Sequence, residues 1–264
     1  MIKTDLAKFA QKKFGQNFLK DQSYIEKIIQ SMPNDKNRVV EIGPGLGDLT
    51  KELVKTKRVI AFEVDKRLCE HIAKTFEHEI EKKILMLNCG DVLALWGDTN
   101  LLDEKYHLVA NLPYYIATHI ILKALRDTQC LSILVMVQKE VAQKFSAKTQ
   151  TRDFSSLGVL TDSVAKAKIC FEVPPQAFVP PPKVTSAVLL IEKSSSLSDT
   201  KFEEFLKFAF MQPRKKLISN LSKFAPKDVV LKVFDAFELK NDIRPHEMST
   251  KSYHQLYYKL KEYL

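Results

Sequence analysis

RVVEIGPGLGDLTKELVKT, residues 38–56, joins a β-rich apolar run to a helical stretch through glycines at every second position. RVVEI reads as a buried strand, and the apolar residues three and four apart in LTKELVKT read as an amphipathic helix. Gly43, Gly45 and Gly47 between them allow a tight turn and a close backbone approach that any Cβ would block. A strand, a glycine turn and a helix in that order are the start of a doubly wound α/β sheet.

The same alternation continues outward from this stretch. RVIAF (58–62), KILML (83–87), YHLVA (106–110), ILVMV (133–137), AKICFEV (167–173) and VTSAVLLI (184–191) read as further strands. Amphipathic segments such as DKRLCEHIAKTF and THIILKALRD lie between them. Near-continuous Val, Ile and Leu strands imply a sheet covered on both faces and largely parallel. KSSSLSD (193–199) is a polar, serine-rich linker candidate, and only helix-period segments follow it. The expected organisation is an α/β domain over residues 1–193, led by a basic arm at 1–20, and a small helical domain over 194–264.

Lys and Arg number 41 against 32 Asp and Glu, a formal charge of +9 and a pI near 9.2. The excess favours a polyanionic partner, nucleic acid before an acidic membrane, although a generally basic proteome would give the same balance. It gathers at the ends: Lys3, Lys8, Lys12, Lys13 and Lys20 face Asp5 alone in residues 1–20, and 13 basic residues face 9 acidic ones from Ser195 onward. Cys69, Cys89, Cys130 and Cys170 form no CxxC pair and share no metal-ligand spacing with the six histidines. Four reduced cysteines, no metal, and neither an apolar leader nor a membrane-length run imply a soluble cytoplasmic protein.

G-x-G-x-G differs from the G-x-G-x-x-G of dinucleotide binders. With Glu41 before the first glycine, that spacing points to a nucleoside lacking a pyrophosphate, S-adenosylmethionine first; a purely structural turn is the alternative. Glu63 follows RVIAF directly, where a carboxylate can accept hydrogen bonds from both ribose hydroxyls. Asp65 reads as the cap of the next helix. Asp91, after the third strand, can accept from an adenine amine or merely cap a helix.

The fourth strand ends in NLPYYI, Asn111 to Ile116. In an open parallel sheet, ligands collect beyond the strands' carboxyl ends, so this turn shares a crevice with the glycines and acids. The Asn111 amide oxygen and a nearby backbone carbonyl, that of Leu112, can accept both hydrogens of a substrate amine. Pro113 fixes the turn, Tyr114 can face a planar base and favour positive charge on its amine, and Tyr115 is left to packing. The chemistry such a site suits is in-line methyl transfer helped by positioning and electrostatics.

QNFLKD (16–21), EIGPGLGDLT (41–50), AFEVDKRL (61–68), GDVL (90–93), NLPYYI (111–116) and FVPPPKVTSAV (178–188) together closely resemble the KsgA/RsmA ribosomal RNA adenine dimethyltransferases. The resemblance covers essentially the whole chain. It implies a Rossmann-like methyltransferase sheet with a helical C-terminal domain, and dimethylation of two adjacent adenosines near the 3′ end of small-subunit rRNA. It assigns Gln16, Asn17 and Leu19 to a segment closing over S-adenosylmethionine, with Gly43, Gly45, Glu63, Asp91 and Asn111 as further cofactor contacts. Asn111, Leu112, Pro113 and Tyr114 would hold the target base. Phe178 would stack on the base's other face, unless it is a core aromatic before a proline-rich turn. Lys12, Lys13, Arg214, Lys215 and Lys216 are the phosphate-contact candidates, the last three alternatively a solvated helix face. Thr185 and Pro213 stand where the family often has an acid and a second Arg.

The implied partner is small-subunit rRNA within a pre-ribosomal particle, met by a monomer. Two other readings stay open: a large-subunit rRNA methyltransferase of the erythromycin-resistance type, and a non-catalytic ribosome assembly factor. A nicotinamide dehydrogenase is disfavoured by the glycine spacing.

Overall fold

The computed structural model describes residues 11, 14–97 and 100–263. Lys12, Lys13 and most of the basic arm lie outside the described residues. The chain divides into two compact units, one of residues 1–142 and 167–196, the other of residues 143–166 and 197–264. The second unit therefore takes in an internal segment that the expected boundary at 193 had left in the first. LGVLTDSV inside that segment is helical and largely buried, and its short apolar run gives no sign of which body it packs into.

The sheet unit opens with β1 (Phe18–Leu19) and α1 (Gln22–Gln30). Then come β2 (Arg38–Ile42), α2 (Asp48–Leu53), β3 (Val59–Glu63), α3 (Lys66–Thr75), α4 (Glu77–Glu81) and β4 (Leu85–Cys89). α5 (Val92–Leu95), β5 (Tyr106–Asn111), α6 (Ala117–Arg126) and β6 (Cys130–Gln138) follow. The chain then passes through α7 (Lys139–Ser146), whose second half belongs to the second unit, and α8 (Ser156–Val164), all of which does, before β7 (Ala165–Val173), β8 (Phe178–Val179) and β9 (Ser186–Lys193).

The seven-stranded sheet runs β4-β3-β2-β5-β6-β9-β7. β2 pairs in parallel with both β3 and β5, and β3–β4 and β5–β6 are parallel as well. β9 returns antiparallel against β6, Met136 facing Val188. Strand order reverses between β2 and β5, so their carboxyl ends diverge and open a crevice. The β2 loop carries the glycines, and the β5 end carries Asn111.

Local chemistry sets the boundaries. KILML yields a strand only from Leu85, because Lys83 takes a left-handed turn (φ 56°) and the Ile84 amide donates to the Glu79 carbonyl, closing α4. Asp21, Asp65 and Asp91 each cap a helix through a side-chain oxygen. Gly47 sits at φ 84°, and a Cβ there would meet the Phe76 ring at 2.6 Å. That close packing seats α2 and α3 beside the sheet.

The cysteines depart from the sequence reading. α3 packs back along β4 and brings Cys69 to Cys89 with a Cα separation of 5.9 Å; the two form a disulfide. Their spacing of 20 residues matches no local pairing motif, so only the crossover joins them. Cys130 and Cys170 are free, and burial pushes the Cys130 thiol up to about 12.

The helical unit adds α9 (Thr200–Ala209), α10 (Leu217–Leu221), α11 (Lys227–Ala236) and α12 (Thr250–Leu260). Its core is aromatic: Phe205 meets Phe224 edge-on at 5.8 Å, and Phe202 stacks on His254 at 4.2 Å. Arg214, Lys215 and Lys216 precede α10 rather than riding on it. Pro213 helps form a turn closed by the Lys215 amide on the Gln212 carbonyl. Among the described residues no helix is long and apolar enough to cross a membrane.

Candidate active site

A cavity of about 190 Å³ occupies the crevice. The β2 loop, the ends of β3 and β4, the Asn111 turn and residues 14–19 enclose it. Every cofactor candidate that the sequence named on those segments lines it: Gln16, Asn17, Leu19, Gly43, Gly45, Glu63, Asp91 and Asn111.

The glycine loop is held by the acid opposite. Gly43 and Gly45 sit at φ 71° and 61°, and a Cβ on Gly45 would lie 3.2 Å from the Phe18 ring. The Gly45 amide donates to Glu63 Oε2 at 3.2 Å, and the Asp65 amide donates to Glu63 Oε1 at 2.9 Å. Each carboxylate oxygen keeps a further lone pair for a ligand hydroxyl. Burial raises the Glu63 pKa, and the two amides oppose that rise. Asp65 does cap α3, and the Gln16 amide nitrogen donates to its Oδ2 at 3.0 Å.

Gln16 is therefore a strap. Its Oε1 accepts the Gln11 amide, so its side chain ties Gln11 to the head of α3. Lys20 pairs with Asp48 at 2.7 Å, and β1 pairs antiparallel with β8, Leu19 opposite Phe178. Asn17 acts through its backbone: its carbonyl accepts Asn111 Nδ2 at 3.0 Å. That bond fixes the Asn111 amide and leaves Oδ1 without a hydrogen bond among the described residues.

Asp91 takes the capping role that the sequence allowed it and also faces the cavity. Its Oδ1 caps α5 through the Leu93 amide at 2.9 Å, while Oδ2 makes no hydrogen bond among the described residues and the residue lines the cavity. Leu112 buries its side chain and donates its amide to the Met136 carbonyl. Pro113 packs beside Gly43, 3.8 Å from where a Cβ would stand. The Tyr114 hydroxyl is 2.6 Å from Ser186 Oγ on β9, so the ring is anchored at its far end.

Phe178 and Tyr115 differ in burial. Phe178 is 2% exposed, belongs to the core with Leu19, Val109 and Val188, and does not line the cavity. Strand pairing with β1 places it in the core, the alternative the sequence left open to it. Tyr115 is not packing: it is 60% exposed and lines the cavity. The sequence reading also passed over Glu41 as a buried acid. It is 2% exposed, accepts the Thr50 hydroxyl at 2.7 Å, and is raised to about 8 by burial and by the charge of Glu63. A carboxylate in mid-run of RVVEI, pointing into a covered sheet, was the available signal.

In the helical unit Arg214, Lys215 and Lys216 are exposed and line an open concavity with Lys240, Arg244 and His246. Lys240 and Arg244 were not singled out from sequence, since they join the cluster only through the turn before the 3-10 helix Pro245–Glu247.

The cavity suits a nucleoside: glycines where a Cβ would intrude, and acids with spare acceptors at successive strand ends. Comparison with known proteins gives the family. The profile described as "Ribosomal RNA adenine dimethylase" matches residues 7–262. A Sulfurimonas denitrificans protein named ribosomal RNA small subunit methyltransferase A is 56% identical, over 94% of this chain and 92% of its own. Proteins of the same name from Aliarcobacter butzleri and Campylobacter jejuni are 52% and 47% identical, each over 96% of both chains. Two solved structures share the fold. A dimethyladenosine transferase from Plasmodium falciparum has TM-score 0.79 and 23% identity over 93% of this chain and 98% of its own. The 23S rRNA methyltransferase ErmE has TM-score 0.69 and 22% identity over 93% and 100%. The chain belongs to the ribosomal RNA adenine dimethylase family.

Proposed function

We propose that this S-adenosylmethionine-dependent rRNA methyltransferase dimethylates the N6 amines of two adjacent adenosines near the 3′ end of small-subunit rRNA. It would act as a cytoplasmic monomer on a pre-ribosomal particle. The observation that carries the chemistry is the Asn111 amide, pinned by the Asn17 carbonyl so that Oδ1 alone is free at the cavity. The small-subunit substrate is supported by the names of relatives 47–56% identical.

Gly43, Gly45, Glu63 and Asp91 would hold the cofactor, with Gln16, Asn17 and Leu19 fixing the segment over it. S-adenosylmethionine supplies an electrophilic methyl group on a sulfonium. The remaining steps belong to the chain. A purine amine is a weak nucleophile because its lone pair is delocalised into the ring. Asn111 Oδ1 and the Leu112 carbonyl accept its two hydrogens and turn the lone pair out of the ring plane. Pro113 holds both acceptors in one turn. The Tyr114 face favours the positive charge that develops on nitrogen, and its bond to Ser186 keeps the ring from swinging. The extra proton leaves to water after transfer, so no dedicated base is needed. After one transfer the amine keeps one hydrogen, and one acceptor suffices for the second. Arg214, Lys215 and Lys216, with the arm's Lys12 and Lys13, would meet phosphates.

The test is methylation of small subunits from cells lacking the activity, read by mass spectrometry, beside naked large-subunit rRNA. N6,N6-dimethyladenosine on the small subunit alone is expected. Modification of the large-subunit RNA instead, or of neither, defeats the reading.

A further inference from the structure

Tyr114 and Tyr115 are neighbours in one turn but take opposite parts. Tyr114 is half-buried and spends its hydroxyl on Ser186. The Tyr115 hydroxyl makes no hydrogen bond among the described residues, and its ring is 60% exposed. A ring so uncovered beside a cavity gains from a partner that buries it.

The surroundings say which partner. Tyr115 lies against Gly15, where a Cβ would stand 3.3 Å from its Cδ1. Gly15 is itself in the left-handed region (φ 59°), and its carbonyl accepts Asn17 Nδ2 at 3.2 Å. The ring thus spans from the β5 turn to the N-terminal segment across the cavity mouth. Partial burial raises its phenol's pKa, and the negative charges of Asp91 and Glu63 add to the rise. Those are the carboxylates at the ends of β3 and β4. The Ser186 bond carries Tyr114 to the β9 side of the turn.

We propose that Tyr115 is a cofactor-binding residue whose ring forms the outer wall of the adenosine end of the S-adenosylmethionine site, closing it against the Gly15 backbone. The inference rests on the functional reading above and adds a residue to it. An aromatic face suits a purine or a ribose. Its position between Gly15 and the carboxylates makes the ring a barrier to cofactor leaving, while the target base is held by Asn111 and Tyr114.

The test is calorimetric titration of the full chain with S-adenosylmethionine, for wild type, Tyr115→Ala, Tyr115→Phe and Glu63→Ala. Tyr115→Ala should weaken binding by about tenfold, the size of one lost aromatic stacking contact. Tyr115→Phe, keeping the ring, should stay within about twofold. Affinity for small subunits should be unchanged in Tyr115→Ala. Because the side chain is exposed, the melting temperature should hold, and it is measured alongside. A loss below about fivefold in a folded Tyr115→Ala overturns the proposal, as does a loss of small-subunit affinity in its place. If wild type itself fails to bind S-adenosylmethionine, the functional reading falls and takes this inference with it. If wild type binds and Glu63→Ala does not, only the role of Tyr115 is at stake.

Discussion

The crevice of the sheet unit and the concavity of the helical unit are the two proposed ligand sites, yet they are built in opposite ways. In the crevice nearly every polar side chain is already committed. Glu63 holds two backbone amides, Asn111 is pinned by Asn17, Gln16 by Asp65, and Tyr114 by Ser186. What remains for a ligand is a small set of directed acceptors. In the concavity Arg214, Lys215 and Lys216 stand exposed on a turn. Committed acceptors select one geometry and cost no reorganisation when it arrives. Exposed cations attract any phosphate, and their contribution is screened by salt. The first region should therefore govern which atom reacts, and the second how tightly RNA is held.

The sharpest way to break this division is Asn111→Ala. Methyl transfer to small subunits should fall by about 10²–10³, the size of losing one preorganised partner at a reacting centre. S-adenosylmethionine affinity should fall by less, about tenfold at most, since Asn111 meets the segment over the cofactor through its single bond to the Asn17 backbone. Single-turnover rates and calorimetry separate the two. Equal losses in both would show that the turn serves the cofactor and not the amine.

Glu63→Ala should invert that pattern. It removes a carboxylate that carries the Gly45 and Asp65 amides and faces the cavity. Hydrogen bonds to a charged group contribute about 1.5–3 kcal/mol, so cofactor affinity should drop about 10- to 100-fold. The bound, saturated enzyme should still transfer methyl groups. A saturated rate as low as that of Asn111→Ala would place Glu63 in the chemistry.

The helical unit answers to salt instead. Replacing Arg214, Lys215 and Lys216 by Ala should lower small-subunit affinity about tenfold at moderate salt. It should also reduce the log–log salt slope by about 0.7–0.9 for each cation that neutralises a phosphate. S-adenosylmethionine affinity should not move. An unchanged salt slope would leave these residues as solvated surface.

The same contrast explains what was legible in the sequence. β2 to β6 follow from apolar runs separated by helical periods, because a covered parallel sheet needs such strands. Gly43, Gly45, Glu63, Asp91 and Asn111 sit at strand ends, and topology alone gathers them. Phe178 was left open between two readings because its position depends on a two-residue strand pairing with Leu19 that no periodicity marks. Tyr115 was misread because a turn residue's facing depends on its neighbours' bonds, here Tyr114 to Ser186. The segment 143–166 and the Cys69–Cys89 pair were hidden for a related reason, since each is fixed by contacts far apart along the chain.

One further effect concerns stability alone. Glu41 is buried beneath the glycine loop, with one oxygen on the Thr50 hydroxyl. Its pKa is raised from 4.5 to about 8, chiefly by burial. In the unfolded chain the carboxyl loses its proton near its ordinary value, while in the folded chain it keeps the proton until about 8. Folding therefore takes up a proton between those two pH values, and stability falls as pH rises through that window. The loss is complete above the folded pKa and amounts to a few kcal/mol, roughly. Glu41→Gln keeps an amide oxygen for Thr50 and has no proton to lose. Its melting temperature should match that of the wild type near pH 5 and exceed it by several degrees, roughly, at pH 8.5. The comparison is made without cofactor, so that only folding is read. Parallel melting curves across that range would show that Glu41 is ionised in the folded protein. The crevice would then carry two buried negative charges, Glu41 and Glu63, rather than one.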